Sequence, residues 1–78
     1  MLLIRYFAGA RAAAGVPEEK VTAASLGELT ALIVAEHPRL AAALPACSFL
    51  VDGVAWRDLA APLPASATVD VLPPFAGG

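Results

Sequence analysis

The side chains that usually carry chemistry are few in this sequence and poorly spaced for it. Cys47 and His37 are its only cysteine and only histidine, so no internal disulfide forms and no Cys/His set has metal-ligand spacing. A Cys47–His37 pair is conceivable as nucleophile and base, but nothing places a third, orienting group beside it. Cys47 opens an apolar run and reads as a buried small hydrophobe. His37 precedes Pro38 at an expected helix end, where the dipole favours a cation. Glu18 and Glu19 read as a solvated pair in a turn. Gly9 and Gly15 lack the spacing and the lysine of a phosphate-binding loop. What remains is the segment Leu72-Pro73-Pro74-Phe75-Ala76-Gly77-Gly78.

A bare Gly-Gly would be no more than a frayed end. Here Pro73 and Pro74 hold the segment extended, Phe75 and Ala76 follow, and Gly77 and Gly78 carry no side chain. A chain built this way can pass its carboxylate down a narrow channel in another protein, because no Cβ obstructs the backbone. A carboxylate is a poor acyl donor. Joining it to AMP supplies a leaving group, which a sulfur nucleophile can then displace to give an acyl persulfide or thiocarboxylate. The sequence shows no ATP site, so activation is expected from a partner, and the reactive group is expected to be the chain's own last atom. The expected organisation is one domain over residues 1–72 and an extended, flexible tail over 73–78.

The elements that must present this tail follow from periodicity. Met1 to Phe7 alternates as a strand, with Leu2, Ile4 and Tyr6 toward the core and Leu3, Arg5 and Phe7 on the other face. Ala8 to Gly15 reads as a turn with room for one helical turn. Glu18 to Ala23 is a second strand, with Val21 its best core candidate. Ser25-Leu26-Gly27-Glu28 is a capping box. It opens a helix whose Leu26, Leu29, Ile33 and His37 share a face, with Leu32 beside them. Pro38 ends that helix, and Arg39 to Leu44 forms a short second one, stopped by Pro45. Apolar runs on either side of Asp52-Gly53 predict a hairpin with a type I′ turn, and Trp56 packs on the sheet. Arg57 to Pro64 is irregular. Thr68 to Leu72 alternates as the last strand, with Val69 and Val71 on one face and Thr68, Asp70 and Leu72 on the other; Pro73 and Pro74 end it. The expectation is a two-layer α+β domain with one main helix on one face of the sheet, leaving Leu3 and Phe7 on the open face.

Composition narrows the class of protein. Nineteen of the 78 residues are alanine, so the large apolar side chains suffice for one modest core. Five basic residues against seven acidic give a net charge of -2, and the basic ones are scattered, which disfavours nucleic acid as a partner. Charged residues make up 15% of the chain, so sparse a surface that an obligate partner is one explanation and genome composition another. No apolar run is long enough to span a membrane, and Met1-Leu2-Leu3-Ile4-Arg5 is not a secretory signal. A lone cysteine without such a signal points to the cytoplasm.

These residues together resemble the ubiquitin-like sulfur carriers, the MoaD/ThiS group, and within it the small subunit of molybdopterin synthase. The likeness covers essentially the whole chain. It runs from the opening strand into Phe7-Ala8, then Arg11, Ala14-Gly15, Ser25-Leu26, Glu36-His37-Pro38 and Val51-Asp52-Gly53. It ends with Leu63-Pro64, Val69-Asp70-Val71 and Pro73-Pro74-Phe75-Ala76-Gly77-Gly78. Pro-Pro ahead of the last four residues resembles the molybdopterin branch more than the thiamine-pathway carriers. Asp52 replaces the asparagine common in the family, and Gly27 weakens the first turn of the helix.

The resemblance implies a β-grasp fold and a subunit with no active site or bound cofactor of its own. An E1-like adenylyltransferase, using ATP and Mg²⁺, would adenylate Gly78, and a sulfurtransferase would leave a thiocarboxylate there. The carrier would then dock on the large subunit of molybdopterin synthase in a heterotetramer and thread residues 73–78 into its active site. There sulfur would pass to a cyclic pyranopterin precursor to build molybdopterin. Gly78 and Gly77 are the expected working residues, and Phe7, Leu59, Pro73, Pro74, Phe75 and Ala76 the expected docking contacts. Competing expectations are sulfur supply to thiamine, thiolated tRNA or cysteine, a protein modifier joined through Gly78, and an interaction module with an inert tail.

Overall fold

Five strands and four helical segments make up a computed structural model that describes residues 1–74. In chain order they are β1 (Leu2–Tyr6), α1 (Ala8–Ala14), β2 (Glu18–Val21), α2 (Leu26–Glu36), α3 (Leu40–Ala43), a 3₁₀ turn (Leu44–Ala46), β3 (Ser48–Val51), β4 (Val54–Ala55) and β5 (Thr68–Leu72). The five strands form one mixed sheet in the order β2-β1-β5-β3-β4. Its central pair, β1 and β5, is parallel, with Ile4 opposite Val69 and Tyr6 opposite Val71. All other pairings are antiparallel.

The core lies between the sheet and the helices. Ile4, Val69 and Val71 from the central strands meet Leu26, Leu29 and Ile33 of α2 and Leu40 of α3, all essentially solvent-free. Strand alternation then sends Leu3, Arg5, Asp70 and Leu50 to the opposite face. The two-layer arrangement expected from the pattern is therefore present, and so is its helix-free face. Helix α2 begins as the capping box requires: the Glu28 amide donates to Ser25 Oγ at 3.2 Å, and the Glu28 carboxylate accepts from the Ala24 amide at 3.2 Å. It stops at His37, ahead of Pro38. In the β3–β4 hairpin Asp52 and Gly53 take φ values of 49° and 81°, both positive as a type I′ turn demands.

Several local expectations are corrected. Ala8–Ala14 is a seven-residue helix, not a turn with one helical turn. Alanine has the highest helix propensity, and Ala10 and Ala14, one turn apart, are small enough to be buried against the sheet. Gly15, at φ 79°, ends this helix with its amide donating to the Arg11 carbonyl at 2.9 Å. Pro45 does not stop the second short helix; it sits within the 3₁₀ turn, where an early helical position needs no amide donor. Leu32 is 43% exposed, on the solvent side of α2. The second strand ends at Val21, short of Ala23.

Ser25→Ala removes the oxygen that accepts from Glu28. Urea denaturation should show a loss of about 1 kcal/mol, with the α2 amides near Glu28 exchanging faster with solvent than in the parent.

Candidate functional site

Because β1 and β5 run parallel, their C-terminal ends leave the sheet side by side. The Phe7 amide donates to the Val71 carbonyl at 3.2 Å, which carries the pairing one residue beyond β1. Phe7 is 39% exposed, Pro73 is half-buried and Pro74 is exposed. Three of the expected docking residues are thus gathered at one end of the sheet. Phe75, Ala76, Gly77 and Gly78 lie outside the described residues.

On the helix-free face beside Phe7, Arg5 grips Asp70 across the central strand pair. Nε donates to Oδ1 at 2.6 Å and Nη2 to Oδ2 at 2.9 Å, the two-pronged geometry that suits guanidinium and carboxylate. The Asp70 hydrogen bond and charge, with a smaller contribution from Glu18, raise the Arg5 pKa further. The Arg5 guanidinium carbon lies 5.8 Å from the centre of the Phe7 ring, within cation–π range.

Leu59 is placed elsewhere, in the irregular segment against the start of α2, and is 56% exposed. Its carbonyl accepts from the Gly27 amide at 2.9 Å, and a Cβ on residue 27 would come within 3.1 Å of that oxygen. Gly27 weakens the helix locally but lets this segment approach. Asp58 shapes it: Oδ1 accepts from the amides of Ala60 and Ala61 at 2.9 and 3.1 Å, and its carbonyl accepts from the Trp56 indole at 3.1 Å. Leu59, Trp56, Phe49, Leu26 and Val34 line an apolar groove of about 820 Å³ between α2 and the β3–β4 hairpin.

The titratable side chains are tied into structure. Glu19 is not a solvated turn residue. Alternation along β2 turns it to the helix side, where Oε2 accepts from the Tyr6 hydroxyl at 2.5 Å and lies 2.6 Å from His37 Nε2. His37 therefore does more than end a helix; it ties the end of α2 to β2 and β1. Burial, then the bond to Glu19, holds the Tyr6 hydroxyl far above the usual tyrosine pKa. Cys47 lines the groove, its thiol donating to the Ala43 carbonyl at 3.2 Å, and burial pushes its pKa up. Among the described residues no three His, Cys, Asp or Glu side chains gather where they could hold a metal ion, and no helix is long and apolar enough to cross a membrane.

The sequence matches the ThiS family over residues 4–78. The chain belongs to the ThiS family. Its fold is the β-grasp fold of solved structures that superpose over nearly the whole chain. Small archaeal modifier protein 1 of Haloferax volcanii is 23% identical, covering 99% of this chain and 98% of its own, with a TM-score of 0.85. A protein described as a putative molybdopterin converting factor, subunit 1, from Pyrococcus furiosus is 24% identical, covering 95% and 97%, with a TM-score of 0.84. A complex of subunits 1 and 2 of the molybdopterin-converting factor from Helicobacter pylori contains a chain 25% identical, covering 99% and 97%, with a TM-score of 0.76. No curated protein matches the sequence.

In this ThiS-family chain the described side chains present two surfaces: an open sheet face at Arg5 and Phe7, and a groove edged by Leu59. Sequence reasoning placed Arg5 and Asp70 on outward faces but did not pair them, since nothing in the pattern reveals that strands 65 residues apart lie adjacent. It also missed the Asp58 turn, although an aspartate ahead of Ala60-Ala61 in a proline-rich stretch signals a side-chain-capped turn.

Three measurements check this geometry. Gly27→Val should displace the Leu59 segment, altering Trp56 fluorescence and costing about 1–3 kcal/mol. Gly9→Ala, with nothing within 4 Å of the added methyl, should stabilise by about 0.5–1 kcal/mol. Since burial raises the Cys47 pKa, less thiolate is present at a given pH. Iodoacetamide should therefore modify native protein at pH 8 several-fold more slowly than urea-unfolded protein.

Proposed function

We propose that this chain is the sulfur-donating small subunit of a molybdopterin synthase. The observation that carries the reading is the family match, which extends from β1 to Gly78 and so takes in the side-chain-free terminus. The Helicobacter pylori structure supports the partner, because there a chain of this fold is complexed with subunit 2 of the molybdopterin-converting factor. In the proposed cycle a carboxylate oxygen of Gly78 attacks the α-phosphorus of ATP, held with Mg²⁺ by an adenylyltransferase, and pyrophosphate leaves. A persulfide delivered by a sulfurtransferase then displaces AMP. Cleavage of the resulting sulfur–sulfur bond by a thiol leaves the thiocarboxylate.

The loaded chain docks through the end of the sheet where Phe7, Pro73 and Pro74 lie, and Leu59 adds a contact from beside α2. Pro73 to Gly78 enter the large subunit, and sulfur passes to the cyclic pyranopterin precursor. Gly77 serves by having no Cβ to catch in the channel. Pro73 and Pro74 lack amide donors, so the strand ladder cannot continue through them.

The reading is tested by reconstitution. Thiocarboxylated chain and the large subunit should convert the cyclic precursor to the dithiolene product; no product would overturn the molybdopterin assignment. Deleting Gly78 should abolish adenylation, read as ATP–pyrophosphate exchange, with the melting temperature unchanged. Exchange at the parental rate would show that a carboxylate on Gly77 serves equally well, and so remove Gly78 as the required acyl group.

A further inference from the structure

The Arg5–Asp70 pair stands where the fold does not need it. It lies at the centre of the helix-free face, on the two middle strands, with Leu3, Leu50 and Leu72 half-buried around it. An apolar pair would cover the same strands at no desolvation cost, and ion pairs in such settings add little stability by themselves. The two partners are also unequal. Asp70 has both oxygens engaged and its side chain is 11% exposed, whereas the Arg5 side chain is 46% exposed. Arg5 uses Nε and one N–H of Nη2 on Asp70, which leaves the other N–H of Nη2 and both of Nη1 to find acceptors elsewhere.

In the free chain those donors can be met by water. When a partner covers the face, water leaves, and a guanidinium with unpaired donors becomes costly. A cationic group on the partner would face the guanidinium's own charge, and Asp70, with each oxygen already holding one bond and its side chain only 11% exposed, is poorly placed to accept from it. The other charged groups on this face are Glu18, opposite Arg5 on β2, and Lys20, opposite Leu3. Both are exposed on the edge strand; Glu18 adds to the field at Arg5 but makes no hydrogen bond to it. The matching group opposite Arg5 is an acceptor, and a carboxylate gives the strongest bond to a guanidinium.

We propose that the Arg5–Asp70 pair is a specificity determinant of the docking face. Asp70 fixes the guanidinium beside Phe7, and the partner that buries Phe7 carries a carboxylate that accepts from Arg5 Nη1 within an otherwise apolar surface. This rests on the reading of the chain as a carrier that docks on a large subunit, and it adds the chemistry which that subunit's surface must offer.

The test is calorimetric titration of the full-length chain against the molybdopterin synthase large subunit of the same organism, at low and at moderate salt. Replacing both partners, Arg5→Met with Asp70→Leu, removes the pair without stranding a buried charge, so the melting temperature should be retained. Binding should weaken about tenfold or more, and its salt dependence should become shallower. Arg5→Lys keeps a charge opposite Asp70 but has no second edge, and should weaken binding similarly in a chain that folds as before. Parental affinity in either variant would overturn the inference while leaving the carrier reading intact. In the double variant, weakened binding with unchanged salt dependence would overturn the carboxylate. A parental chain that does not bind the large subunit at all would remove the carrier reading and this inference with it.

Discussion

The parallel pairing of β1 with β5 is the constraint from which the rest of the molecule follows. It joins the first and last strands of the domain through Leu3–Thr68, Ile4–Val69, Arg5–Asp70 and Tyr6–Val71. Parallel strands cannot be joined by a tight turn, so the whole intervening chain must serve as the crossover. That crossover supplies α2 and α3 for one face, and β2, β3 and β4 as flanking strands. Parallel pairing also makes both strands finish at the same end of the sheet, so the chain leaves the domain beside Phe7. Closing so long a loop is entropically expensive, and the solvent-free set Ile4, Val69, Val71, Leu26, Leu29 and Ile33 is what offsets it.

The two faces of the central pair divide the labour. On the helix side, interior contacts are apolar except for the Tyr6–Glu19–His37 cluster, which ties three elements through one carboxylate oxygen. On the open side the pair Arg5–Asp70 stands among half-buried leucines next to an exposed phenylalanine. The groove at Leu59 is a separate surface, held by Gly27 and by the Asp58 turn. A small domain with two such surfaces and its few reactive side chains committed to hydrogen bonds is suited to presenting something to partners.

Much of this was readable from residue order because it depends on local rules. The capping box at Ser25, the Asp52-Gly53 hairpin, the Thr68–Leu72 strand and the opposite facing of Ile4 and Arg5 each depend on neighbours a few positions apart. Helix α1 was not readable: Gly9 and Gly15 looked like breakers, and only the burial of Ala10 and Ala14 against α3 and the central strands makes a seven-residue alanine helix worthwhile. Glu19 looked solvated because its partners, Tyr6 and His37, lie 13 and 18 residues away. Gly27 looked like a flaw until the carbonyl of Leu59, far along the chain, came to rest against it. The reading of the tail rests on residue types alone, since Phe75 to Gly78 lie outside the described residues.

The central claim is that the working group of this chain is the carboxylate of Gly78. Mass spectrometry of the C-terminal peptide, from protein purified from its own cells while the pathway is active, tests it most directly. The account predicts a fraction in which one oxygen of Gly78 is replaced by sulfur, lost on treatment with a thiocarboxylate-specific reagent. A terminus that stays an unmodified carboxylate throughout would contradict it.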